Sequence, residues 1–277
     1  MLQSRKARAG SLAAGLFLLL AGSTVGAHDM WIEPTAFKAD PEKILGLRLR
    51  VGQDFLGDPL VRDPALIDKF LVADDSGVKR VVGRDGGDPA GLLRPVEPGL
   101  LVFGYQSKES PVVLPGGKFQ QYLAEEGLDQ IIALRSQRGE TMAEAREVFI
   151  RCAKSLVLVG APGAAQRDRD LGFTLELTAE RNPYTMAAGG SLPFRLTYRD
   201  QPLPGALVVA INQTRPADKV SARTDKDGLV RLRLDTAGPW LIKAVHMAAT
   251  PPGSDSQWAS FWASLTFDLL AAARASR

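Results

Sequence analysis

Short apolar segments cut apart by turn residues fill the second half of the chain, and they leave few folds open. The segments are residues 173–179, 192–199, 206–213, 220–224, 229–234, 240–247 and 261–269. Between them stand Asp200-Gln-Pro-Leu-Pro-Gly205 and Asp225-Lys-Asp-Gly228. In the second of these, Gly228 can supply the positive φ that a tight hairpin turn needs. Val230, Leu232 and Leu234 alternate with Arg231 and Arg233, the period of a half-buried strand. Seven such strands predict a β-sandwich of immunoglobulin-like type over residues 171–269. The polar stretch 161–170, with Pro162 and Gly163, is expected to divide it from an N-terminal domain over residues 28–165. The tail, residues 270–277, is expected to fray.

The first half also reads mainly as strand. Leu45, Leu47, Leu49 and Val51 alternate with Gly46, Arg48 and Arg50. Residues 69–73 and 78–82 flank Asp74-Asp-Ser-Gly77, a hairpin signal, and 99–106 is a further strand. Residues 53–64 read as a loop holding Asp54, Asp58 and Asp63. A short helical insertion is expected near 118–154. Phe119, Tyr122 and Leu123 share one face of a first helix that Gly127 can end, and 128–138 forms a second. A third is expected over 141–154, with Thr141 as cap and Glu144 at the capping-box position. Its apolar face is Ala145, Val148, Phe149, Cys152, Ala153 and Leu156. The fold class is therefore mainly β: an N-terminal β-rich domain with a short helical insertion, and a C-terminal β-sandwich. Cys152 is the sole cysteine, so no intramolecular disulfide forms, and a small buried hydrophobe is its expected role.

Residues 1–27 read as a secretory signal peptide. Arg5, Lys6 and Arg8 precede an apolar core from Leu12 to Ala21, and Val25-Gly26-Ala27 gives small residues before the cut. The core is about half the ~20 residues that span a bilayer. The expected product is periplasmic, with no membrane insertion after cleavage. The three basic residues of the leader account for the whole formal charge of +3. Nucleic-acid binding gains no electrostatic support.

The chain has only two histidines, His28 and His246. Cleavage after Ala27 makes His28 the first residue, offering a metal its α-amine and its imidazole together. His246 can add a second imidazole, and copper(II) and nickel(II) favour such nitrogen sets. Asp29 and Glu33 are close in sequence, and folding can bring in Asp54 or Asp58. The expected ligand set is His28 and His246, with Asp29 or Asp54 completing the shell. His246 also shares strand parity with Trp240, Ile242 and Ala244, which equally suits a core residue. Trp31, Trp240, Trp258, Phe261 and Trp262 suit packing. Gly116-Gly117 lacks the Lys and Ser/Thr of a phosphate loop, and no Gly-x-Ser-x-Gly occurs. An enzyme is not expected.

Several motifs together carry a family resemblance. They are His28-Asp-x-Trp-Ile-x-Pro34, Phe119-x-x-Tyr-Leu-x-Glu-Glu-Gly-Leu-Asp129 and Arg146-Glu-x-Phe-x-Arg-x-x-Lys154. Pro202-Leu-x-Gly-Ala206, Thr224-Asp-x-x-Gly228, Trp240-Leu-Ile-x-Ala-x-His246 and Trp258-x-Ser-x-x-x-Ser-Leu-Thr-Phe267 follow. The chain resembles an uncharacterised exported bacterial domain family that includes soluble components linked to nickel and cobalt uptake transporters. Phe149 departs from the tyrosine expected there, a change of packing. The resemblance implies a periplasmic accessory protein whose C-terminal domain is of the carboxypeptidase-regulatory type. Its cargo would be nickel or cobalt, with copper possible, and its partner a membrane metal-uptake transporter. The alternative is a non-metal envelope binding or structural module on the immunoglobulin-like domain. A third reading, a copper oxidase on a two-histidine brace, would show redox activity with added copper and reductant.

Overall fold

The computed structural model describes residues 28–271; the expected signal peptide and residues 272–277 lie outside them. The strands in chain order are β1 (Asp29–Pro34), β2 (Lys38–Ala39), β3 (Leu45–Gln53), β4 (Leu56–Leu60), β5 (Ile67–Asp74) and β6 (Gly77–Arg80). Then come β7 (Gly91–Leu93), β8 (Gly99–Ser107) and β9 (Ser110–Leu114). Two helices follow, α1 (Gly116–Glu125) and α2 (Asp129–Gln137), and then β10 (Ala145–Val159). The second half holds β11 (Leu175–Ala179), β12 (Gly190–Tyr198), β13 (Gln201–Pro202), β14 (Leu207–Asn212) and β15 (Arg215–Arg223). It ends with β16 (Leu229–Leu234), β17 (Gly238–Ala249) and β18 (Trp258–Leu269).

The fold is mainly β, and its sheets pack face to face. A central ten-stranded sheet runs β15-β14-β17-β18-β10-β8-β5-β6, with β2 and β9 also paired to β10. One four-stranded sheet, β1-β3-β4 with β7, covers one face; another, β11-β12-β13 with β16, covers the other. Strand alternation sorts the core. Cys152, Leu156 and Leu158 of β10 join Trp240, Ile242 and Ala244 of β17 against Leu175, Leu177 and Phe194 of the second flank. Ala153, Val157 and Val159 join Met30, Ile32 and Leu47 of the first flank. The helices lie on this first-flank side, where Phe119, Leu123 and Ile131 pack with Val245, Met247, Trp258 and Trp262. Gly127, at φ 64°, ends α1 as expected.

In the second half of the chain β11, β12 and β16 face β15, β14, β17 and β18, a β-sandwich. Residues 161–170 connect the two halves, yet the central sheet takes strands from both sides of that stretch. The parallel pair β10–β18 joins the halves through Glu147↔Trp258 to Ser155↔Thr266.

Three expectations are corrected. The third helix, 141–154, is instead strand β10. Its neighbours on both edges and cover on both faces bury Cys152 to Val159 without interruption, so no alternation survives to mark it. The loop expected over 53–64 contains β4, reached through Asp54 and Phe55, both at positive φ. Leu270 does not fray: it bridges Ala187, and its carbonyl accepts from Ala188 N at 2.9 Å. Cys152 is buried as expected, but from a strand.

Candidate functional site

His28 immediately precedes β1, which is laid down residue by residue on β3 from Asp29↔Gly52 to Pro34↔Leu47. Beside it lies a concavity of about 700 Å³ walled by Gln53, Leu56 and Asp58. Two glycines shape that wall. A Cβ on Gly52 would meet the Leu56 carbonyl at 2.1 Å, and one on Gly57 would meet the Trp31 ring at 2.6 Å. Trp31 itself is buried edge-on against Phe55, ring centres 5.4 Å apart. The concavity therefore has a fixed floor.

Asp29 is buried and already engaged. Lys243 of β17 reaches its Oδ1 at 2.7 Å and the Glu126 Oε1 at 2.8 Å. Burial alone would lower the Lys243 pKa, but the two carboxylates outweigh it and hold the ammonium above its ordinary value. Burial raises the Glu126 carboxyl, against the pull of Lys243. This triad pins the start of β1 to the end of α1 and to the central sheet.

Asp54 lies in the β3–β4 turn and pairs with Lys219 at 2.5 Å, both largely exposed. His246 is half-buried on β17, its ring 4.4 Å from that of Tyr198 and stacked at 6.3 Å on Phe261. Burial, and then the nearby Arg199 charge, lower its pKa. Alternation sets its direction. Lys243 turns to the first flank, where it meets Asp29; His246, three residues on, turns to the second. The central sheet thus stands between the two histidines, and the structure does not bring them together. Of the four expected ligands, Asp29 is held by Lys243 and Asp54 by Lys219, and His246 turns to the other face; Asp58, weighed in the sequence, shares the concavity of His28. Among the described residues no three His, Cys, Asp or Glu side chains form a metal-binding group.

Sequence reasoning passed over three buried charges. Lys243 and Lys154 each interrupt an apolar strand, as does Glu147 beside Val148 and Phe149. The Glu147 carboxylate accepts from Tyr122 Oη at 3.3 Å and from Ser260 Oγ, which in turn accepts from Trp262 Nε1 at 2.9 Å. Burial pushes its pKa up to about 7, against those two hydrogen bonds. A charged residue inside an otherwise apolar strand was the available signal.

A family model described as a domain of unknown function, DUF4198, matches residues 25–248. The chain belongs to this family. No curated protein matches this DUF4198 member. Among solved structures it is similar to the D0-D1 domain of intimin, at 12% identity, 86% of this chain, 97% of that one and a TM-score of 0.19. It is also similar to murine CEACAM1b, at 9% identity, 88% and 100% coverage and a TM-score of 0.21. A tetra-tandem repeat from the extending region of a large adhesion protein matches at 13% identity, 88% and 49% coverage and 0.21.

Proposed function

We propose that this DUF4198 member is an exported periplasmic protein that captures a divalent transition metal at its mature amino terminus. The observation that carries the reading is the shared concavity of His28 and Asp58 at the anchored start of β1. After cleavage at Ala27, the His28 α-amine and imidazole would supply two nitrogens and Asp58 an oxygen. That mixed donor set suits nickel(II), cobalt(II) or copper(II). The Asp29–Lys243–Glu126 triad supports it indirectly, because an anchored β1 pre-positions the chelate. The resemblance set out above favours nickel or cobalt as cargo and hand-over to a membrane uptake transporter. His246, Asp29 and Asp54 are not part of this ligand set.

The test is calorimetric titration of nickel, cobalt and copper into protein starting at His28, beside protein with one extra Ala in front. Tight one-to-one binding lost on adding the Ala, weakened at least tenfold by Asp58→Asn and unchanged by His246→Ala, is the expected result. Equal binding by both forms would remove the α-amine from the site. Binding by neither would leave the second reading, a non-metal envelope-binding module. That reading draws on a separate concavity of about 770 Å³, where Tyr198, Phe261, Arg199 and Glu109 combine aromatic faces with charge.

A further inference from the structure

Lys154 lies in β10 between Cys152 and Leu156, on the face turned to the second flank. Its Nζ stands 2.9 Å from Asp168 Oδ1 and 3.0 Å from Glu176 Oε1. The three side chains are 1%, 0% and 3% exposed. They sit on strands and connections that contribute Leu156, Leu171, Phe173, Leu175 and Leu177 to the surrounding core. Nζ also donates to the Arg169 carbonyl at 2.8 Å. Asp168 Oδ1 accepts from Arg169 N and Oδ2 from Ala179 N, both at 2.8 Å. Glu176 accepts from Leu171 N at 2.7 Å and from Phe173 N at 2.9 Å.

One ammonium and two carboxylates leave a surplus negative charge in a dry core, where it is costly. A single proton on one carboxylate removes the surplus. Burial raises the Asp168 pKa, which directs that proton there. Burial works against the Lys154 ammonium, but the facing carboxylates hold its pKa up, so it stays charged opposite Glu176. A neutral carboxylic acid is thus held against an amine, in contact range for attack and out of water.

We propose that the folded chain joins Lys154 to Asp168 through an intramolecular amide bond, with Glu176 as proton carrier. Glu176 takes a proton from the Lys154 ammonium. The freed nitrogen lone pair attacks Asp168 Cγ, forming the N–C bond. The backbone N–H of Ala179 donates to Oδ2 and stabilises the negative charge it takes on in the tetrahedral intermediate, while Oδ1, beside Nζ, is the oxygen that leaves. Glu176 passes its proton to the Asp168 hydroxyl as the C–O bond breaks, and water leaves. It then takes the surplus proton from nitrogen. The ammonium, the acid and the carboxylate become a neutral amide, one water and a protonated Glu176; nothing is oxidised or reduced. The bond ties the centre of the ten-stranded sheet to the segment that leads into β11. It is independent of the metal reading.

The experiment is intact-mass measurement of the purified, denatured chain, followed by proteolytic mapping. A mass one water below that of the sequence, and a branched peptide joining residue 154 to residue 168, is the expected result. The full sequence mass, with both residues recovered in separate linear peptides, would overturn the proposal. Water loss mapped to another position, or a bridge ending at residue 176, would overturn it as well. Glu176→Gln keeps the side-chain volume and removes the proton carrier. Folded Glu176→Gln protein, checked by circular dichroism, should retain the water and lack the branched peptide; a bridge formed as readily as in the parent would remove Glu176 from the chemistry. The parent measurement decides the bond itself whatever the variant does.

Discussion

Two lysines sit on opposite faces of the same sheet, and each holds two carboxylates. Lys243 stands near the rim, 13% exposed, and joins β1, the end of α1 and β17, elements far apart in the chain. Lys154 is enclosed and joins β10 to the residues that follow it. The distances in the two triads are nearly alike, so the charges themselves do not set them apart. Solvent does. At the rim, water can share the surplus negative charge, and the triad serves as a clamp that seats the amino terminus. In the core the surplus must be cancelled by a proton, and that places an acid beside an amine.

The sharpest way to break this contrast is to remove each lysine in turn. Lys154→Met leaves Asp168 and Glu176 in the core without their basic partner and should cost about 3–5 kcal/mol, read as a lower urea midpoint at unchanged slope. A loss no greater than that of Lys243→Met would erase the distinction between the faces.

Glu147 sharpens it from another side, being a buried carboxylate on the first-flank face with hydroxyl partners and no lysine within its hydrogen-bond set. Its folded pKa is raised to about 7, while an unfolded glutamate titrates near ~4.3. Its protonated form is therefore favoured in the fold. Its contribution to stability is full below the unfolded value and is lost as pH rises through about 7. Glu147→Gln should flatten that fall and gain on the order of 3 kcal/mol at alkaline pH, measured as the difference between parent and variant midpoints across the window. A parallel pair of pH curves would show that the group is ionised in the fold.

Smaller effects follow at the rim. Lys243→Met should cost about 1–3 kcal/mol. It should also weaken amino-terminal metal binding more than its stability loss explains, because β1 loses its anchor; equal metal affinity would detach the clamp from the site. Smallest is Asp54→Asn. Its exposed pair with Lys219 is worth under about 1 kcal/mol, and metal affinity should not move.

Where a strand has one wet face, its pattern was legible. β16 alternates Val230, Leu232 and Leu234 with two arginines, and the β5–β6 hairpin announces itself through Asp74-Asp-Ser-Gly77. β10 was misread because its apolar positions fit a helical period by coincidence, and its real partners, β18, β8, β9 and β2, are remote in sequence. The site was legible only in part. His28 could be singled out from composition and position. That His246 turns away from it depends on strand parity and on which flank covers which face, and neither is a local property. Lys154 and Lys243 carried the signal of charge inside an apolar run, but their partners arrive from other segments.

The place of β18 has a consequence for how the chain comes to be folded. It is the last strand among the described residues, yet it lies between β17 and β10 near the middle of the largest sheet. Its Ser264 and Thr266 hydroxyls donate to the Met30 and Ile32 carbonyls of β1, both at 2.7 Å across a separation of 234 residues. A chain delivered amino-terminus first, from a ribosome or through a translocation pore, leaves β10 from Glu147 to Ser155 unpaired on one edge until residues 258–266 have emerged. Such long-range pairing folds slowly and leaves strand edges open meanwhile. Truncation at the carboxyl end should therefore abolish the fold outright, where loss of a terminal strand at a sheet edge would merely trim it.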